Sequence, residues 1–425
     1  MRAVTWQGRE KVSVETVPDP AILEPTDAII RVTSTAVCGS DLHLYGVLGP
    51  FLEAGDVLGH EPMGIVEEVG AEVNHIKPGD RVVVPFQIAC GTCFMCVRGL
   101  QTQCETTQIR EQGMGAALFG YTKLYGQVPG GQAEYLRVPQ AHYGPIPVPD
   151  DGQPDERYLF LSDVIPTAWQ AVRYAEIPDG GSVVVLGLGP IGQMCVRVAR
   201  ALGAETVIGV DLVPERLQMA ARHGAHTLDL RSLGAEGKDG LKDVAALTEV
   251  VQDLTGGRGP DSVIDAVGME AHGSPLAETV QKSANMLPDV VSQPLFTAAG
   301  VDRLAALHAA ISLVRRGGTI SLSGVYGGMA DPLPLMTLFD KQVSVRMGQA
   351  NVRHWLDEAL PYVTDDADPL GTLDLRTHRM ALEDGAEAYA TFQAKDDGAI
   401  KVVLDPALPA GSGGRTAPEA VGDLR

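Results

Sequence analysis

Long apolar runs are missing from this 425-residue chain; each is interrupted well before the about 18 residues that would indicate a membrane span. The opening stretch, MRAVTWQGREKVSVETVPDP, alternates like a strand and lacks both an apolar h-region and a small-residue cleavage site. No secretory signal is therefore expected, and the cytoplasm is the expected setting. Positive charge is scarce: 33 Lys and Arg stand against 54 Asp and Glu, a formal net charge of −21. That balance argues against nucleic acid and membrane as partners, since anionic polymers and surfaces are bound by basic ones. Aromatic residues amount to only 5%, and no internal repeat is found. What is plentiful is Gly and Val, as in ordinary α/β proteins.

Cysteine is rare and unevenly spread. The six are Cys38, Cys90, Cys93, Cys96, Cys104 and Cys195, and four of them fall within fifteen residues. In a reducing compartment such clustering points to metal thiolates before disulfides.

Residues 1 to about 150 read as short strands broken by Gly and Pro, among them DAIIRVTSTAV, GIVEEVG, DRVVVPF and GQAEYLRVP. From about Gly181 the pattern becomes strand–helix alternation, the mark of parallel strands with crossover helices. The segment 269–297 interrupts that rhythm and is too long for an ordinary connection. The expected organisation is one domain over 1–164, a second over 165–330, and a return to the first over 331–407. The tail 408–425, rich in Gly, Pro and Ala, is expected to be disordered.

VVVLGLGPIG carries Gly187, Gly189 and Gly192 as G-x-G-x-x-G, directly after an apolar strand and before a helix that begins with Pro190 and Ile191. This is a dinucleotide fingerprint, with the pyrophosphate expected at the helix N-terminus. Asp211 ends the next strand, followed by Leu212. A carboxylate there accepts from ribose hydroxyls and repels a 2′-phosphate, so NAD is favoured over NADP.

Cys90, Cys93, Cys96 and Cys104 are spaced C-x2-C-x2-C-x7-C. Four thiolates from one loop, about 88–106, can close a tetrahedral shell around a structural zinc. An iron–sulfur cluster is the rival, though the Pro that follows the last Cys of that pattern is missing. Two further stretches, CGSDLH (38–43) and GHEPMG (59–64), offer a thiolate at Cys38 and an imidazole at His60.

Taken together these motifs make the chain resemble the zinc-dependent medium-chain alcohol dehydrogenases over about residues 1–405. GHEPMGIVEEVG matches that family's G-H-E-x2-G-x5-G pattern. The resemblance implies a GroES-like β-rich catalytic domain, a Rossmann doubly wound parallel-sheet domain, and a catalytic zinc in the cleft between them. Many members supply the third catalytic ligand from a second Cys. Here none remains: Cys195 sits on the helix after the phosphate loop, where core packing is expected. Asp163, in LSDVIPT, stands where that ligand would fall, its alternative being a loop or N-cap residue. The resemblance thus implies two zinc ions per chain, one at Cys38, His60 and Asp163 and one in the lobe.

An aspartate in that segment resembles the glutathione-independent formaldehyde dehydrogenases and formaldehyde dismutases. Those relatives carry a long insertion late in the Rossmann domain, and in that branch NAD can be held so tightly that it recycles in place. The resemblance further implies that Ser40 touches the substrate oxygen and His43 relays its proton. Asp41 would fix the His60 tautomer, Glu61 would coordinate transiently, and Thr167 would face the nicotinamide. Val325 and Lys401 are expected beside the cofactor, whereas Gly39 lacks the side chain that relatives often aim at its phosphates. The expected substrate is a small primary alcohol or aldehyde, and the expected assembly a homodimer or homotetramer paired through Rossmann edges. A polyol- or threonine-type secondary-alcohol dehydrogenase and a non-catalytic NAD-binding protein are the alternatives.

Overall fold

The computed structural model of the chain describes residues 1–233, 236–237, 240–241, 244–268, 304–326 and 333–416. The segment 269–297 lies outside the described residues. The chain divides into two compact units, Met1–Pro166 with Ala350–Arg425, and Thr167–Gln349.

In the first unit the strand Ala28–Val37 is central. Its sequence, AIIRVTSTAV, is dense in β-branched residues, which suit a pleated, buried position. It pairs antiparallel with Glu61–Val69 and with Val402–Asp405, in an eight-stranded sheet among the described residues. Ile30, Val32, Val66, Val82 and Leu136 pack into one buried cluster, and Val37, Leu44, Tyr389, Phe392 and Leu404 into another. The register does the positioning. Ala36 lies opposite Glu61, and Val37 opposite Val402. Antiparallel pairing alone therefore brings Cys38, just past one strand's end, beside His60 and Glu61, at the other's start.

Among the described residues the main sheet of the second unit has six strands, all paired in parallel, and a short antiparallel pair, Glu236–Gly237 with Gly240–Leu241, lies apart from it. Numbered along the chain, the six are Ser182–Leu186, Thr206–Asp211, His226–Asp229, Ser262–Asp265, Thr319–Leu322 and Ser344–Met347, and they lie in the order 3-2-1-4-5-6. That is the doubly wound Rossmann order, whose switch point falls between the first and fourth strands. Short apolar runs such as SVVVL and SVID are buried along most of their length, as parallel strands covered by helices require.

Two boundaries differ from the sequence reading. The unit with the parallel sheet extends past 330, because Ser344–Met347 pairs with Thr319–Leu322 as its sixth strand, and the return comes at Ala350. The tail is structured further than expected: Gly414–Arg415 pairs with His378–Arg379. No helix among the described residues is long and apolar enough to cross a membrane.

Candidate active site

Among the described residues, two groups of His, Cys and acidic side chains converge closely enough to share an ion. The first is Cys38, His60, Glu61 and Asp163, all buried, with ligand atoms within 4.8 Å of one another. Cys38 occupies the N-cap of the helix Gly39–Gly46. Asp163 stands between a short 3-10 turn and the helix Val164–Ala175, with its carboxylate turned onto the others. Its Oδ2 is 3.5 Å from Cys38 Sγ and 3.7 Å from His60 Nε2. Tetrahedral zinc with bonds of about 2.0–2.3 Å separates its donors by roughly 3.3–3.8 Å. Cys38, His60 and Asp163 fit that requirement, and at 8% exposure Asp163 is not a loop residue in water.

Charge makes the same case. Burial, with the neighbouring Glu61 and Asp163 carboxylates, pushes the Cys38 thiol up to about 11. Burial works against a charged His60, yet Asp41, Asp163 and Cys38 together hold the imidazole well above its ordinary value. Both shifts have the same cause, negative charge crowded into a buried space, which a cation would offset.

The surroundings orient the donors. His60 Nδ1 lies 3.1 Å from Asp41 Oδ1, which favours the tautomer whose Nε2 lone pair faces Cys38 and Asp163. Ser40 Oγ is 3.2 Å from His60 Nε2. His43, buried, follows three residues later on the same helix, so the two side chains share a face. Phe86 and Tyr121 set their rings edge-on to His60, with centroids 6.4 and 6.5 Å away. Sequence reading missed both aromatics, whose type carries no ligand signature.

Lys401 corrects an expectation. It is fully buried in the first unit, donating to Glu61 Oε1 at 2.6 Å and to the Val37 carbonyl at 3.1 Å. Its charge is spent on a carboxylate beside the donor cluster, so it is not available to cofactor phosphates.

The second group is Cys90, Cys93, Cys96 and Cys104. Cys93 and Cys104 sulfurs are 4.0 Å apart, close to the about 3.8 Å that two thiolates of a tetrahedral zinc require. The Cys90 amide donates to Cys104 Sγ and the Glu105 amide to Cys93 Sγ, each at 3.3 Å, as sulfur anions would accept. Asn351 anchors the lobe, its Oδ1 accepting from both the Thr102 amide and hydroxyl at 3.0 Å. Cys195 lies apart, fully buried on the helix Pro190–Ala201, where desolvation pushes its thiol up.

In the second unit, Gly189 caps that helix and Pro190 opens it. A Cβ on Gly192 would sit 1.8 Å from the Gly187 carbonyl oxygen, so only glycine lets the helix approach the loop. Gly187 itself has φ +83°. Asp211 accepts from the amides of Leu188 (2.6 Å), Leu212 (2.6 Å) and Val213 (2.8 Å), which ties the phosphate loop to the second strand's end. Arg216 approaches the same carboxylate at 3.8 Å. Val325 is half exposed at the matching end of the fifth strand, close against Gly268. Thr167, half-buried, lies four residues beyond Asp163 in the helix Val164–Ala175.

The chain can now be set beside known proteins. The model of the alcohol dehydrogenase GroES-like domain matches residues 24–150, and that of the zinc-binding dehydrogenases matches residues 190–288. A zinc-type alcohol dehydrogenase-like protein of Bacillus subtilis (strain 168), AdhB, is 40% identical over 96% of this chain and 100% of its own length. A formaldehyde dismutase of Pseudomonas putida is 32% identical over 95% of this chain and 97% of its own. Among solved structures, alcohol dehydrogenase TADH from Thermus sp. ATN1 superposes with a TM-score of 0.75 at 33% identity, covering 95% of this chain and 99% of that one.

Proposed function

This chain belongs to the zinc-dependent medium-chain alcohol dehydrogenases, oxidoreductases that use zinc and a nicotinamide cofactor, and on that premise we propose that it oxidises small primary alcohols, formaldehyde hydrate first among them, with NAD. The observation that carries this reading is the buried convergence of Cys38, His60 and Asp163. A thiolate, a neutral imidazole and a carboxylate balance Zn²⁺ and leave one tetrahedral position for substrate. The lobe cysteines take a second, structural zinc.

When bound, the catalytic metal and the cofactor supply Lewis-acid polarisation of the substrate oxygen and acceptance of a hydride. The chain's residues do the rest. Ser40 accepts the proton of the substrate hydroxyl and passes its own to His43, which hands it towards solvent. Asp41 keeps the His60 lone pair directed at the metal. Glu61, restrained by Lys401, would offer a further carboxylate oxygen beside the metal these residues would hold. Thr167 carries a hydroxyl for the nicotinamide, and Gly187, Gly189, Pro190, Ile191 and Gly192 present backbone to the pyrophosphate.

Asp211 supports NAD, because its carboxylate would repel a 2′-phosphate. Phe86 and Tyr121 set apolar rings beside His60, a lining that suits a small alcohol better than a polyol. Likeness to a formaldehyde dismutase points the same way, and retained NAD is the further expectation that the resemblance at Asp163 carries. For assembly, Ser344–Met347 is exposed along its whole length at the sheet edge, with Val345 and Met347 uncovered, so pairing with a second copy is the expected contact. A cytoplasmic setting suits thiols that must stay reduced.

A panel of primary and secondary alcohols with NAD and NADP tests the reading. Turnover of small primary substrates with NAD is expected; preference for a secondary alcohol overturns the substrate assignment.

A further inference from the structure

Asp41 is gripped from a side that the mechanism above does not use. Its Oδ2 accepts from the Cys38 amide at 2.9 Å and from Gln132 Nε2 at 3.2 Å. Gln132 also donates to the Ala36 carbonyl at 3.3 Å, and its Oε1 accepts the Tyr389 hydroxyl at 2.9 Å. Asp41, Gln132 and Tyr389 are all sealed from solvent. The result is a line of polar groups: Tyr389 hydroxyl, Gln132 amide, Asp41 carboxylate, His60 imidazole.

The chain makes room for this line. Gly59, immediately before His60, has φ +93°, and a Cβ there would fall 2.3 Å from Gln132 Cγ. The residue next to the metal-facing histidine thus forgoes a side chain where Gln132 sits. A side-chain amide also has a sense, with donors at one end and an acceptor at the other. The acceptor-only Asp41 carboxylate and Ala36 carbonyl fix the NH₂ end, and the Tyr389 hydroxyl braces the carbonyl end by donating to it. Without that hydroxyl the buried Gln132 oxygen loses a donor, and the amide is held at one end alone.

We propose that Gln132 and Tyr389 are positioning residues for the donor cluster: Tyr389 braces the carbonyl end of the Gln132 amide, Gln132 holds the Asp41 carboxylate, and Asp41 holds His60. The inference rests on the proposed metal role of Cys38, His60 and Asp163. Partners one step removed from a metal ligand, as Asp41 is, typically change metal affinity by about 10- to 100-fold, and Gln132 and Tyr389 act on the metal through that step.

Zinc release to a chelator tests it, followed with full-length wild type, Tyr389→Phe, Gln132→Met and the double variant. Asp163→Ala identifies the release phase that belongs to the cluster. The expected result is two zinc equivalents in wild type, with that phase accelerated up to about tenfold by Gln132→Met and less by Tyr389→Phe. The lobe phase stays unchanged. The double variant should release no faster than Gln132→Met alone, because Tyr389 acts through Gln132, whereas independent packing defects would add. Unchanged cluster release in the folded single variants, or additive losses, overturns the proposal. Should Gln132→Met fail to fold, Tyr389→Phe decides by itself: faster cluster release supports the inference and unchanged release defeats it. Only one equivalent in wild type would instead overturn the metal reading beneath it.

Discussion

Lys401 Nζ and Glu61 Oε1 lie 2.6 Å apart with both side chains fully buried, joined across 340 residues of sequence. Burial pushes the Glu61 carboxyl up, and Lys401 pulls it back. Burial likewise disfavours the Lys401 charge, while Glu61 and Cys38 more than restore it. The pair lets an anion sit beside a cluster already rich in negative donors.

Removing one member strands the other. Lys401→Met should cost about 3–5 kcal/mol of stability, the usual penalty for an uncompensated buried charge. Adding Glu61→Gln should recover part of that loss. Denaturant unfolding of both variants checks it, and a double variant no more stable than the single one would count against the coupling.

Asp211→Ala should weaken discrimination against NADP about tenfold or more, measured as the ratio of kcat/KM for the two cofactors, or about 1.4 kcal/mol. The loss of three amide contacts, one from Leu188, should also raise KM for NAD. An unchanged ratio would remove Asp211 from cofactor selection.

Met347→Lys, at the exposed end of the edge strand, should convert the assembly to smaller species in light scattering, since a charge there blunts strand pairing. Persistence of the wild-type size would place the interface elsewhere.

Freshly purified, gel-filtered protein should carry close to one NAD per chain, released on denaturation. Cofactor-free protein with full activity on added NAD would sink the retention idea and leave the dehydrogenase reading standing.

The fold was legible because its signals are local. The G-x-G-x-x-G turn follows an apolar strand within a few residues, and the four lobe cysteines fall within one loop. The convergence of Asp163 with Cys38 and His60 was approachable through the family resemblance, which places a third ligand in that segment where no cysteine is left to supply it. Lys401, Gln132 and Tyr389 gave no such signal, for their hydrogen-bonded side-chain partners are 91 to 340 residues away and their types are common in cores and loops. The sixth strand, SVRM, escaped for another reason. Exposed at every position on the sheet edge, it lacks the apolar run that marked its buried neighbours. The charge of Lys401 suggested phosphate, and only the register that sets Val402 against Val37 reveals the carboxylate it neutralises.

Metal content per chain of Asp163→Ala beside wild type tests the central claim most directly. Two zinc ions in wild type and one in the variant, with alcohol oxidation lost and the lobe zinc kept, is the expected result. Two zinc ions and full activity in Asp163→Ala would contradict it.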